Sequence, residues 1–110
     1  GDKVVLMSFA YYVPQDYTHE KFKAKALDYA YTPNSMAIET WGMPENVVKG
    51  IEAHNEILRD LASRYDNVVF VDQEKLIPKE GAYFQDICHF SPKGCEVFAA
   101  NLTAALPDKP

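Results

Sequence analysis

Two short, almost uninterrupted apolar runs frame the first two thirds of this chain. Val4-Val5-Leu6-Met7-Ser8-Phe9-Ala10 and Val68-Val69-Phe70-Val71-Asp72 have the form of strands covered on both faces, as in a parallel sheet. Pro44 to Tyr65, between them, is the clearest helix. Val47, Ile51, His54, Leu58, Leu61 and Tyr65 recur at steps of four and three and form one stripe, on which His54 is expected as a core or edge histidine. Gly50 within this helix costs about 1 kcal/mol relative to Ala, which a close approach to a sheet would explain. Glu52, Glu56 and Asp60 with Arg59 and Arg64 compose its solvated face, and Asp66-Asn67 turns the chain. A last helix starts at Ser91, a natural N-cap, with Pro92 at the first helical position. Cys95, Phe98, Ala99, Leu102 and Leu106 are its apolar face, and Pro107 ends it.

From Tyr11 to Met43 the pattern is irregular. Pro14, Pro33 and Gly42 interrupt it, and Tyr11, Tyr12, Tyr17, Tyr29, Tyr31 and Trp41 fall within it. Thr18 is placed to cap a short helix from about His19 to Tyr29, with Phe22 and Ala26 inside. The remainder is a long connection, and long connections in small domains tend to carry function. Tyr11, Tyr12 and Trp41 are therefore candidates for substrate binding, stacking on a sugar or lining an acyl pocket. The other reading of these rings is that they pack the connection onto the domain. Leu76-Ile77-Pro78 and Gly81 belong to a second loop.

The order is strand, excursion, helix, strand, loop, helix. Such alternation implies βαβ units, right-handed crossovers and an α/β fold with a parallel sheet. Only two strands are visible, too few to cover a sheet and close a core, so residues 1–110 are expected to be part of one domain. With 16 acidic against 11 basic residues the net charge is −5, which leaves no basic face for nucleic acid. No apolar run reaches the roughly 18 residues of a membrane span, and the N-terminal residues do not have the pattern of a signal peptide. Two cysteines, Cys88 and Cys95, make no disulfide scaffold, although their spacing permits a bond; both are expected in packing roles.

The chemistry concentrates in Asp86-Ile87-Cys88-His89, immediately before Phe90-Ser91-Pro92-Lys93-Gly94. An Asp and a His three residues apart in one turn can present a carboxylate to an imidazole, which is two thirds of a serine-hydrolase triad. The serines do not supply the third. Ser91 is a cap, and Ser8, Ser35 and Ser63 lack an elbow or glycine-flanked context. Cys88 adjoins His89, so their side chains are expected to point apart. A surface histidine beside a loop-bonding Asp, and metal binding through Asp86, Cys88 and His89, are the competing readings.

Asp86-x-x-His89, the Phe90-Ser91-Pro92-Lys93-Gly94 helix start, the helix carrying Asn55 and the strand Val68 to Asp72 together resemble the C-terminal part of the SGNH/GDSL hydrolase family. The resemblance implies a flavodoxin-like α/β/α sandwich and a serine esterase with no cofactor. His89 is then the base and Asp86 its orienting partner. The family's Gly-Asp-Ser block and its oxyanion-hole Gly and Asn have no counterpart here, since Gly1-Asp2 is followed by Lys3. The nucleophile is thus expected from an absent N-terminal segment or a second chain. An O-acetylated carbohydrate is the first substrate expectation. The alternative is a non-enzymatic module that binds a partner through its sheet edge.

Overall fold

Parallel pairing of the two apolar runs organises the chain. In the computed structural model, which describes residues 2–106, β1 (Val4–Met7) pairs with β2 (Val68–Val71) in register from Val4↔Val68 to Met7↔Val71. The helices are α1 (His19–Lys23), α2 (Pro44–Arg64), α3 (Gln73–Leu76) and α4 (Pro92–Ala105). Helix α2 packs on both strands, and α4 packs on β2 and α3. The result among the described residues is an α/β fold with four helices and a two-stranded parallel sheet. Pro107 lies outside the described residues.

The first strand stops at Met7, short of Ala10, because α2 takes over its hydrogen bonds. The buried Asn55 amide accepts from Phe9 N at 2.7 Å and donates to Phe9 O at 3.0 Å, as a neighbouring strand would. One residue earlier, Ser8 Oγ donates to Asp72 at 2.7 Å and accepts from Glu74 N at 2.9 Å. Arg59 grips Asp72 through two hydrogen bonds, at 3.1 and 2.9 Å, and reaches Glu74 at 3.2 Å. Arg59 is therefore part of the α2–β2 junction and not of a merely solvated face. Leu76, expected in a loop, instead ends the short helix α3, whose Gln73 is fully buried between Phe98 O and Asn101.

Neither strand is covered on both faces. Val4 is exposed and Val5, Leu6, Met7, Val68, Val69 and Phe70 are half-buried; Val71 alone is buried. The core is built instead outside the strands, by the irregular excursion together with the segment after β2. Ala10, Phe22, Leu27, Tyr29, Ile77 and Phe84 form its centre, flanked by Tyr12, Tyr17, Tyr31, Phe90 and Phe98. Tyr29 Oη donates to Tyr12 O at 2.6 Å, and Tyr12 Oη donates to Asp28. The fold is elongated, 50 × 27 × 20 Å, with a radius of gyration of 15.6 Å, against about 13 Å for a rounded domain of this length.

Several sequence expectations are corrected here. Helix α1 ends at Lys23, not Tyr29, because Lys25 adopts φ 54° and closes a Schellman motif, Ala26 N to Lys21 O and Lys25 N to Phe22 O. Ala26 is consequently exposed and Leu27 takes the inner position. On α2 the inner stripe passes through Ile51, Asn55 and Leu58, so His54, Leu61 and Tyr65 face outward. Gly50 has no close approach to explain it, since a Cβ there would meet nothing within 4 Å. On α4, Gly94, Val97 and Phe98 turn inward, whereas Cys95, Ala99 and Leu106 are exposed.

Two stability experiments follow. Asn55→Ala strands the Phe9 N–H and C=O and is expected to cost roughly 1–3 kcal/mol in urea denaturation followed by circular dichroism. Burial raises the Asp72 pKa, but the Arg59 and Ser8 hydrogen bonds outweigh it and hold the carboxyl below its ordinary 3.8. A depressed pKa stabilises the fold above that value and ceases to do so as pH falls through the folded-state value. The stability gap between the parent chain and Asp72→Asn is expected to be widest near neutral pH and to narrow below pH 3.8.

Candidate active site

The chain from Tyr83 to Ser91 folds back on itself before α4. Phe84 and Phe90 form an antiparallel bridge, Gln85 N donates to His89 O at 2.8 Å, and Ser91 N donates to Tyr83 O at 3.0 Å. Ser91 also caps α4, accepting from Gly94 N at 3.1 Å while donating to Ala82 O at 2.6 Å. Gly94 is required by this closure: a Cβ there would lie 2.1 Å from Tyr83 O. The Ser-Pro-Lys-Gly helix start thus serves as the clasp that closes the loop.

Asp86 sits inside that loop with no solvent exposure. Its Oδ1 accepts from Cys88 N at 3.0 Å and His89 N at 2.9 Å, and its Oδ2 accepts from Met36 N at 2.8 Å. Both oxygens lie 2.9 Å from His89 Nδ1. A buried carboxylate is tolerable only when its lone pairs are satisfied, and four N–H groups do this here. The imidazole is half-exposed. With Nδ1 donating to Asp86, Nε2 is the nitrogen left to accept a proton. Asp86 thus fixes the orientation of the ring and leaves Nε2 toward solvent.

The excursion supplies the other wall. Tyr12 N donates to Ile87 O at 2.9 Å, Thr32 Oγ1 donates to Gln85 Oε1 at 2.7 Å, and Ala30 N reaches Phe84 O at 2.8 Å. Trp41 lies beside the dyad, its ring 6.3 Å from that of His89. A cavity of about 240 Å³ opens there, lined by Phe9, Trp41, Val47, Ile51, Ile87, Cys88 and His89. A larger cavity of about 440 Å³ lies elsewhere, against Lys49, Glu52, Asn55, Arg59 and Glu74. Its Glu52, Arg59 and Glu74 are engaged with one another or with Tyr11 and Asp72, and it contains neither Asp86 nor His89.

Of the three rings expected to meet substrate, Trp41 alone is brought to His89. Tyr11 is buried, with its hydroxyl on Glu52 at 3.0 Å and Lys79 Nζ 4.0 Å from its ring centroid. Burial first, then the Glu52 hydrogen bond, pushes its pKa up to about 12. Tyr12 packs on Tyr29 and Phe84 and is raised likewise, by burial and by Asp28. Phe9 belongs to the first apolar run and Val47 and Ile51 to the α2 stripe; their approach to His89 depends on tertiary packing.

The serine hydroxyls are committed elsewhere. Ser8 and Ser91 have the partners given above, Ser35 Oγ accepts from Thr32 N, and Ser63 Oγ donates to Asp60 O. Cys88 does not point away from His89, for its Sγ lies 3.7 Å from Nδ1. Burial first, then the Asp86 carboxylate, pushes the pKa of its thiol up to about 11, which disfavours the thiolate a nucleophile needs. Asp86, Cys88 and His89 bring potential metal-ligating atoms within 4.8 Å of one another. In this arrangement Asp86 is saturated with N–H donors and His89 Nδ1 faces Asp86, so a cation there would have to displace those hydrogen bonds. Cys88 and Cys95 are both free. Among the described residues no helix is long and apolar enough to cross a membrane. No protein-family model, curated protein or solved structure matches this chain.

The raised thiol gives a chemical check. At pH 8 roughly one Cys88 in a thousand would be thiolate. Iodoacetamide is expected to alkylate the exposed Cys95 first and Cys88 much more slowly, with rates read from peptide masses.

Proposed function

We propose that this chain carries the base and the orienting acid of a serine ester hydrolase of SGNH/GDSL type. One observation carries the reading: the half-exposed His89 ring is held through Nδ1 at 2.9 Å by a fully buried carboxylate. Burial of a charge at such cost, in a loop clasped by the following helix, is more than a surface histidine needs. The single free edges of β1 and β2 and their half-covered faces support completion into a flavodoxin-like sandwich by further strands. Those strands, the serine and the oxyanion-hole donors would come from another segment of the protein or from a second chain.

In the reaction, His89 Nε2 takes the serine proton as the hydroxyl attacks the ester carbonyl carbon. The tetrahedral intermediate collapses, the ester C–O bond breaks, and the leaving alcohol takes the proton from His89. Water then repeats the sequence on the acyl-serine, and the acid is released. Asp86 holds the ring through Nδ1 and stabilises the imidazolium. The oxyanion hole supplies the main electrostatic stabilisation from outside this chain. With Tyr11 and Tyr12 spent on packing, sugar stacking has Trp41 to rely on, and the apolar cavity favours the ester's hydrophobic part.

The test joins the 110 residues to the serine-bearing segment and follows p-nitrophenyl acetate hydrolysis. Asp86→Asn is expected to lower turnover by about 10⁴, the effect of neutralising the orienting Asp in a serine protease, and His89→Ala by at least as much. Undiminished turnover in His89→Ala would overturn the assignment.

A further inference from the structure

We propose that Gly50 sets the size of the ester's apolar group, by keeping open a groove that runs from His89 along α2. The proposal rests on the reading of His89 as the base. The cavity at His89 shares Phe9, Trp41, Val47 and Ile51 with a neighbouring cavity of about 380 Å³, which continues to Gly50 and His54. The two form one apolar path whose first end is the dyad. Phe9 and Trp41 are 43% and 48% exposed on it, large rings that no other described residue covers fully.

Gly50 lies in the second turn of the 21-residue α2 and destabilises it relative to Ala. Packing does not require it, since a Cβ there would meet no atom within 4 Å. What its missing side chain preserves is space in the groove. An acetyl group at the dyad would use the first cavity only, whereas a longer acyl chain would extend past Trp41 over Gly50. The geometry therefore selects esters with an apolar chain of several carbons. Gly50 acts as a specificity determinant and takes no part in the chemistry.

Trp41 is the chain's one tryptophan, so its fluorescence reports occupancy of the groove without turnover. Ethyl acetate, ethyl butyrate and ethyl hexanoate are titrated into the 110-residue chain and into the protein joined to its serine-bearing segment, there with His89→Ala to prevent hydrolysis. Affinity is expected to rise about fourfold for each added CH₂. Gly50→Leu is expected to collapse the hexanoate-to-acetate preference at least tenfold while raising the thermal midpoint, because leucine favours the helix. That rise separates a filled groove from a misfolded chain. Equal affinity for all three esters, or an unchanged preference in Gly50→Leu, would overturn the proposal. So would Trp41 emission in the joined protein that no ester alters, since another segment would then occupy the groove. Because binding is read without catalysis, failure here leaves the esterase assignment standing, and loss of the assignment through His89 turnover leaves the groove measurement intact.

Discussion

A fully buried carboxylate is the constraint on which the rest of this structure depends. Asp86 cannot be left ionised in the interior unless its oxygens are satisfied, and its donors come from two distant parts of the chain. Cys88 and His89 supply theirs from the same turn; Met36 supplies one from the excursion fifty residues earlier. The requirement to satisfy one side chain therefore ties the excursion to the loop before α4. The Tyr12, Ala30 and Thr32 hydrogen bonds to that loop lie along the same seam.

This arrangement reverses the usual division of labour in an α/β fold. The sheet, normally the buried centre, is two strands wide and half-exposed, while the irregular segment forms the aromatic core. The reason is energetic. Tyr12, Phe22, Tyr29, Tyr31 and Phe84 pack with ring centroids 5.4–6.1 Å apart, largely in tilted and edge-on geometry, and such rings bury more area than the valines of a short strand. The loop carrying the dyad is thus mounted on rigid aromatic packing. Polar junctions hold the sheet to it: Asn55 on Phe9, and Arg59 with Ser8 on Asp72.

Local signals were legible where the cause was local. The caps at Thr18 and Ser91 form as their residue types demand, accepting from Lys21 N and Gly94 N. The Asp-x-x-His spacing does bring carboxylate and imidazole together, because one turn is enough to do so. The α2 helix is legible from its period, but the face it buries lies about one residue from the apolar stripe. Asn55, an Asx at the true inner position between Ile51 and Leu58, was the available signal for the correct face. Gly94 was visible as part of a motif, while its reason, the Tyr83 carbonyl at its back, was not.

The chain's own residues therefore determined two parallel-type strands, the long helix, the capped final helix and the dyad turn, since each depends on neighbours within a few positions. Tertiary structure decided which faces are buried. It placed Trp41 at His89 and withdrew Tyr11 and Tyr12 into packing, a choice that depends on contacts dozens of residues apart. It also turned Cys88 toward the imidazole and opened a groove over Gly50. Periodicity reports that a side chain is apolar; only the assembled packing determines whether it meets the core, a ligand or solvent.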